Sequence, residues 1–463
     1  MLSALGKWRC CPIALTNAQA DTIIHMSYGG KMLPIIIGSV VALVCLVAGF
    51  WVMRRKRLID DLPTSKTQGV FIGLVELKGT AECEKPLSSY LAGEHCVQYA
   101  WHVEEHWSRV VHETYTDSKG NTRTRTRRES GWKRVAGDEV ATPFYLKDDT
   151  GVIHVVPDGA NIHNTKTFDQ TCTPGDGLYY RKGPAYAVAN SSHRRRFRED
   201  AIPLHASLYI MGQARERQDV VAAEITRDKN APMFLISMRS EKQLSTYYAR
   251  WCWFWMILGL VAAVAGAVVW GMLQPVSGVR WQPIVSMTGG FALVLALGWV
   301  WTVYNSLVDL NNRLQQGWSQ VDVQLKRRYD LIPNLVNAVQ GYRDHESQTL
   351  QLVTELRSQQ EATRPGDVGP DFRGVAPVLQ ATIERYPELK ANESFLKLQS
   401  SLIDTEQRIA LARDYYNNIA MFHNTRLEII PDRFVASLAR LRQHALIGAA
   451  DFERAPVEVK LVS

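Results

Sequence analysis

The sequence predicts a multi-domain membrane protein: three transmembrane helices, a β-rich (α+β) domain between the first two, and an all-α helical bundle after the third. Three observations predict it. Apolar residues gather in three uncharged runs, the segment between the first two runs alternates short apolar stretches with Gly, Pro and Asp, and the segment after the third repeats apolar residues every three or four positions. The mean hydropathy of -0.15 over 463 residues conceals this gathering. A chain of that length holds about two or three domains.

The first run, Leu33 to Met53, carries no charge; at about 1.5 Å per residue it covers a hydrocarbon core roughly 30 Å thick. Trp251 to Leu273 and Ile284 to Tyr304 do the same. Arg54, Arg55, Lys56 and Arg57 follow the first run at once, so that end faces the cytoplasm and the N-terminus lies outside. Arg239, Lys242 and Arg250 precede the second run, and Arg313, Lys326, Arg327 and Arg328 follow the third, which places both large polar segments on the cytoplasmic side of the cell (inner) membrane. Tryptophans 251, 253, 255, 270, 281, 299 and 301 sit near the expected interfaces. The first run ends in Phe50, Trp51 and four basic residues rather than in small residues before a cleavage site, which favours an uncleaved anchor. Met26 and Met32 are alternative starts to Met1. The expected segments are a tail and first span at 1–57, the β-rich domain at 68–247, a helical hairpin at 251–303, the bundle at 304–440 and a tail at 441–463.

Seven cysteines form no CxxC pair, so neither a zinc site nor a disulfide framework is indicated, and cytoplasmic ones are expected as reduced thiols.

Between spans one and two, GVFIGLVELKGTAE and CVQYAWHVEEHW read as strands. PFYLKDDTGVIHVVP, residues 143–157, reads as a hairpin turning on Asp148, Asp149, Thr150 and Gly151. An insertion, VVHETYTDSKGNTRTRTRRES, concentrates Arg123, Arg125, Arg127 and Arg128; a second cluster holds Arg194, Arg195 and Arg196. These seven arginines are the candidate contacts for anionic lipid headgroups, worth about 1 kcal/mol per basic residue at the surface. The bland reading is a solvated loop. Nucleic acid is disfavoured, because no aromatic residues interleave the basic ones.

After Tyr304, Leu307, Leu310, Leu314, Trp318, Val321 and Leu325 form one stripe, with no breaker between it and the third span. One helix is therefore expected to leave the membrane and enter the bundle, to end near Tyr329, and to give way to a second helix at Pro333. Leu310, Leu314, Trp318, Val321, Leu325, Pro333 and Asn334 are the candidate packing and assembly residues. RPGDVGPDFRG breaks the second helix, a short one follows from Val375 to Arg385, and a last long one runs from Glu393 to Ile429.

The phrases GLVELKGTAE, PLSSYLAGEHCVQYAWHVEE, PFYLKDDTGVIHVVPDGA and LHASLYIMGQAR resemble the GIDE domain, found in a mitochondrial outer-membrane ubiquitin ligase and in bacterial proteins. In that ligase a separate RING performs the chemistry, and its Cys and His spacing is absent here, so the resemblance implies a regulatory or binding module. The stretches from Tyr304 to Leu350 and from Leu389 to Asn424 resemble the LemA family, with Asn334, Asn392, Glu393 and Arg408 on its pattern. That resemblance implies a helical bundle without enzymatic activity and, through a relative needed for making magnetosomes, membrane organisation.

No catalytic, metal or cofactor residue is assigned. His345 and Glu346 lack the second histidine of HExxH, since Thr349 stands four residues on. Asp322, Lys326 and Arg327 alternate charge along a helix, as intrahelical pairs do. The expected function is a non-catalytic scaffold that self-associates as a homo-oligomer in the lipid bilayer and organises membrane or recruits other membrane proteins. The alternative is a sensor whose GIDE-like domain binds anionic lipid or a protein and signals to the bundle.

Overall fold

The computed structural model describes residues 17–116, 122–217, 222–229, 231–273, 281–340 and 393–447. The chain forms two compact units, one of Met1–Leu58 with Ser245–Ser306 and one of Ile59–Leu244 with Leu307–Ser463.

The first unit contains most of α1 (Asn17–Asp60), most of α3 (Glu241–Met272) and the start of α4 (Trp281–Gln340). Three windows, Met32–Asp60, Glu241–Met272 and Trp281–Leu331, are long and apolar enough to cross a membrane. Glycine sets how closely α1 and α3 approach: a Cβ on Gly38 would lie 2.9 Å from the Ala262 carbonyl and 3.0 Å from the Gly266 Cα. Ala42, Leu46, Ala263 and Phe291 form the buried centre between the helices. Small residues of α3 thus serve contact within one chain, chiefly with α1, as small residues do where helices pack without a hydrophobic drive.

The β-rich part of the second unit has two sheets. The larger runs β1 (Thr64–Ser65), β2 (Gly73–Glu82), β6 (Phe144–Lys147), β7 (Val152–Val155), β12 (Ala223–Thr226), β11 (Ser207–Glu216), β13 (Leu235–Ser237) and β8 (Asn161–His163) in spatial order. A further pairing of β2 with β11 closes β2, β6, β7, β12 and β11 into a ring. Val75, Leu77, Phe144, Leu146, Val155, Ile210 and Ile225 fill its interior; each such burial stabilises by ~1.5–3 kcal/mol. Gly79 in β2 is required there, because a side chain would strike the Lys147 carbonyl of β6. The 143–157 hairpin is present, with Asp148 N–H donating to the Gly151 carbonyl at 3.0 Å.

The smaller sheet runs β3 (Leu87–Ser88), β4 (His95–Thr116), β10 (Ser191–Pro203) and β9 (Thr165–Cys172), with β5 (Thr122–Ala141) paired to β4. A short α2 (Gly177–Arg181) covers it, and Val103, Cys172 and Phe197 are its buried centre. The described parts of the insertion read as a solvated loop, 110–116 and 122–130, instead form a β-ribbon, since β4 and β5 stay in register from Ser108↔Ser130 out to Thr116↔Thr122. Every second residue from Thr122 to Thr126 is a β-branched Thr, and cross-strand pairs sustain such a ribbon without a core.

α4 continues past Tyr304 without interruption, and it does not end near Tyr329: Pro333 lies inside the helix. The proline deprives that turn of one backbone donor. Asn334 Nδ2 donates to the Asp330 carbonyl at 3.2 Å in the same turn, Pro333 is half-buried and Asn334 is exposed. α5 (Glu393–Glu428) and α6 (Asp432–Leu438) complete the described helices. The expected second helix beyond residue 340, the break at RPGDVGPDFRG, the short helix at 375–385, His345, Glu346, Asn392 and most of the C-terminal tail lie outside the described residues.

Candidate functional site

Leu310, Leu314, Val321 and Leu325 of α4 are each 3 % exposed or less and pack on Ile409, Ala412, Tyr416 and Ile419 of α5. Trp318 meets Tyr416 edge-on at 5.7 Å. The stripe is thus occupied within the chain by α5.

The β-rich and helical parts of this unit meet along the strap that follows α1. Its short 3-10 turn, Thr67–Gly69, is fixed by Asp148, whose carboxylate accepts from Thr67 N–H at 2.8 Å and from Thr67 Oγ1 at 2.6 Å. Burial opposes ionisation of Asp148, but hydrogen bonds from Thr67 and Thr150 outweigh it and hold its pKa below the usual carboxylate value. The strap then lies on α5. Gln68 Nε2 donates to Asp404 Oδ1 at 3.3 Å and Gln407 Oε1 at 3.2 Å, and the Gly69 backbone approaches so closely that a Cβ there would stand 2.9 Å from that of Leu411. Phe71 packs edge-on against the buried Tyr415 at 4.6 Å. At the start of the strap, Asp61 accepts from Arg426 of α5 at 2.6 Å, and Arg426 also reaches Asp432 of α6 at 3.1 Å. A groove of about 480 Å³ opens beside this joint, lined by Val70, Ile72, Glu216, Val323, Gln324 and Arg408 among others. Sequence reading found none of the contacts between the strap and α5, because they join residues more than 300 positions apart and depend on a turn held by a distant carboxylate.

Among the described residues no group of three or more His, Cys, Asp or Glu could hold a metal ion. Cys96 is buried and its thiol is pushed up to about 11, so its reactive thiolate fraction is small at neutral pH. Glu76, also buried, accepts from Tyr209 and Thr64 at 2.7 Å each; Lys78 pairs with it and with Glu241 at the start of α3. Burial raises the pKa of Glu76 against those hydrogen bonds.

The two arginine clusters separate sharply. Arg195 is 1 % exposed, so the expectation that it contacts lipid is corrected: its guanidinium pairs with the fully buried Glu105 at 3.2 Å and donates to the carbonyls of Tyr179, Pro184 and Tyr186. Arg196 lies over the Trp132 ring at 4.3 Å and near Glu104 at 3.6 Å, whereas Arg194 is exposed. Alternation in HRRRFRE carried the signal, because Arg195, Phe197 and Glu199 share the inward phase of β10. Arg123, Arg125, Arg127 and Arg128 are all exposed on the ribbon.

A model of the LemA family matches residues 317–461, and the GIDE model, described as E3 ubiquitin ligase, matches 112–271. Protein LemA of Metamycoplasma hominis is 26 % identical over 174 residues, 36 % of this chain and 80 % of that protein. Magnetosome protein MamQ 2 of Paramagnetospirillum magneticum and Magnetosome protein MamQ of Magnetospirillum gryphiswaldense are each 22 % identical over 170 residues, 30 % of this chain; the chain spans 62 % of their length. No solved structure matches. The chain therefore joins a GIDE-like segment, carrying the ribbon and the buried Arg195, to a LemA-like segment that contains α5 and its side of the joint.

Proposed function

We propose that this protein is a non-catalytic, membrane-anchored scaffold of the LemA type, which self-associates and organises membrane or recruits partners. It sits in the cell (inner) membrane with its N-terminus outside and both large domains in the cytoplasm. The carrying observation is the joint: the strap is held to Asp148 of the GIDE-like part through Thr67 and to α5 of the LemA-like part through Gln68, Gly69, Phe71 and the Arg426–Asp61 pair, which supports one presented surface. The basic border at 54–57 and the magnetosome relatives support the placement and the membrane-organising role. Chemistry is not needed for such a role, and a ubiquitin ligase reading would require a RING that the sequence lacks. Native mass spectrometry of detergent-extracted protein should show a defined homo-oligomer; a uniformly monomeric particle would refute self-association.

A second reading is favoured by the groove beside the joint. There the GIDE-like part is a sensor, and occupancy of the groove shifts α5 through Phe71 and Tyr415. Cross-linked ligand recovered from the Val70 or Val323 positions, with the oligomer unchanged, would favour sensor over scaffold.

A further inference from the structure

β4 and β5 leave the smaller sheet together. The last pairing of β10 with β4 is at Trp107, and Asn190 anchors the departure by accepting from Ser108 N–H at 2.9 Å. Beyond it the two strands continue alone for nine register pairs, Ser108↔Ser130 to Thr116↔Thr122, an arm about 30 Å long at ~3.3 Å per residue. Directly opposed residues share a face, and the face alternates along each strand. One face therefore carries Arg123 with Tyr115, Arg125 with Glu113, Arg127 with Val111, and Arg109 with Glu129; the other carries Arg128 with Val110, His112 with Thr126, and further Thr and Ser pairs. Contacts agree with this division: Arg109 bonds Glu129 at 2.7 Å on the first face, and Arg128 reaches Ser108 at 2.8 Å on the second. The basic cluster is thus one-sided. Four arginines, Arg109, Arg123, Arg125 and Arg127, and the half-exposed Tyr115 share one surface, and a single arginine stands on the other.

We infer that the Arg123, Arg125 and Arg127 face of the arm is a docking surface for an anionic lipid bilayer. The spacing of about 6.6 Å between successive arginines suits several headgroups at once, and Tyr115 is an amphipathic ring suited to the headgroup level. The glutamates on the face do not cancel it: Glu129 is engaged by Arg109, and Glu113 alone stands opposite Arg125. A second copy is the poorer occupant. Two β5 edges meeting about a two-fold axis at Arg125 would set Arg123 against Arg127 and Arg125 against its own copy, with only a Thr124–Thr126 pair between them, and those arginine pairs are repulsive. Nor does the arm serve the fold, since its described residues beyond Trp107 belong to neither hydrophobic core.

The test uses the full chain in nanodiscs of neutral lipid, mixed with phosphatidylcholine vesicles with and without phosphatidylglycerol, and scored by co-flotation. Binding should require phosphatidylglycerol and fall with added salt. The triple variant Arg123→Gln, Arg125→Gln, Arg127→Gln should weaken it about a hundredfold, taking each basic residue at about fivefold. Arg125→Gln alone should weaken it about fivefold, whereas Arg128→Gln, on the other face, should leave it unchanged. Unchanged binding by the triple variant, an equal loss from Arg128→Gln, or equal binding to neutral vesicles would overturn the inference. The loss from Arg128→Gln is compared with that from Arg125→Gln, and tighter binding of an acidic peptide than of the anionic vesicles would likewise overturn it. Should the triple variant aggregate while still binding, the arginines only guard an open strand edge and the inference fails. These outcomes are separable from the scaffold reading, which stands or falls on oligomer mass.

Discussion

Two arginine-rich runs in this chain, RRR at 194–196 and RTRTRR at 123–128, differ in that only the first buries one of its guanidinium groups. In Arg194–Arg196 the strand β10 lies in the middle of a sheet, so alternation sends Arg195 inward to Glu105 and Arg196 outward over Trp132. In Arg123–Arg128 the strand β5 pairs on one side only and runs past the sheet, so both phases of the alternation meet solvent. A basic run alone does not say whether charge is structural or surface; what packs on the strand's face decides it, as α2 and the 184–186 backbone do over Arg195.

The comparison breaks most decisively at Arg195. Arg195→Met should cost about 3–5 kcal/mol, because Glu105 is left charged and buried without its partner. Thermal unfolding of the extracted protein would measure it, and Arg195→Met with Glu105→Leu should restore only the part due to the orphaned carboxylate, because the carbonyls of Tyr179, Pro184 and Tyr186 still lack their donor.

Arg426 is an intermediate case, with a side chain 23 % exposed between Asp61 and Asp432, both nearly buried. Arg426→Gln should cost about 2–3 kcal/mol by weakening the pairing of two carboxylates, and hydrogen exchange should rise along the strap and at α6.

A smaller effect is expected at His423, fully buried against the ring of His444. Burial, and then the charge of His444, lower its pKa from the ordinary 6.5. The unfolded chain then takes up the proton more readily, so stability is fully present above pH 6.5 and is lost as pH falls through the lower folded value. α5 should exchange faster in mild acid, and His423→Phe should flatten that dependence.

Least affected in stability is the arm. Arg123→Gln, Arg125→Gln and Arg127→Gln should each stay within about 0.5 kcal/mol, in contrast with Arg195. A large destabilisation there would erase the distinction between the two runs.

Much of this arrangement is legible in the sequence because long-period patterns report it. The three apolar windows, the hairpin at 143–157, the unbroken passage of α4 beyond Tyr304 and the long helix from Glu393 all follow from charge-free length, turn chemistry or three-to-four spacing. Features with no apolar period escape such reading. The ribbon alternates Arg with Thr, a strand rhythm written in polar residues. Pro333 reads as a helix start, yet α4 runs on through it to Gln340. Glu76, Glu105 and Asp148 look like ordinary surface acids until their distant partners Tyr209, Arg195 and Thr67 are placed beside them.

The joint between the strap and α5 is the point on which the presented surface depends, and a disulfide tests it most directly. Gly69→Cys with Leu411→Cys places two Cβ positions 2.9 Å apart before relaxation, close to the separation of roughly 3.5–4.5 Å that a disulfide adopts. Mild oxidation of the full chain in membranes should give a rapid intramolecular cross-link between these two introduced thiols, read by peptide mass spectrometry. Failure to close that bond, or its formation only between chains, would contradict a body in which the GIDE-like and LemA-like parts are held together.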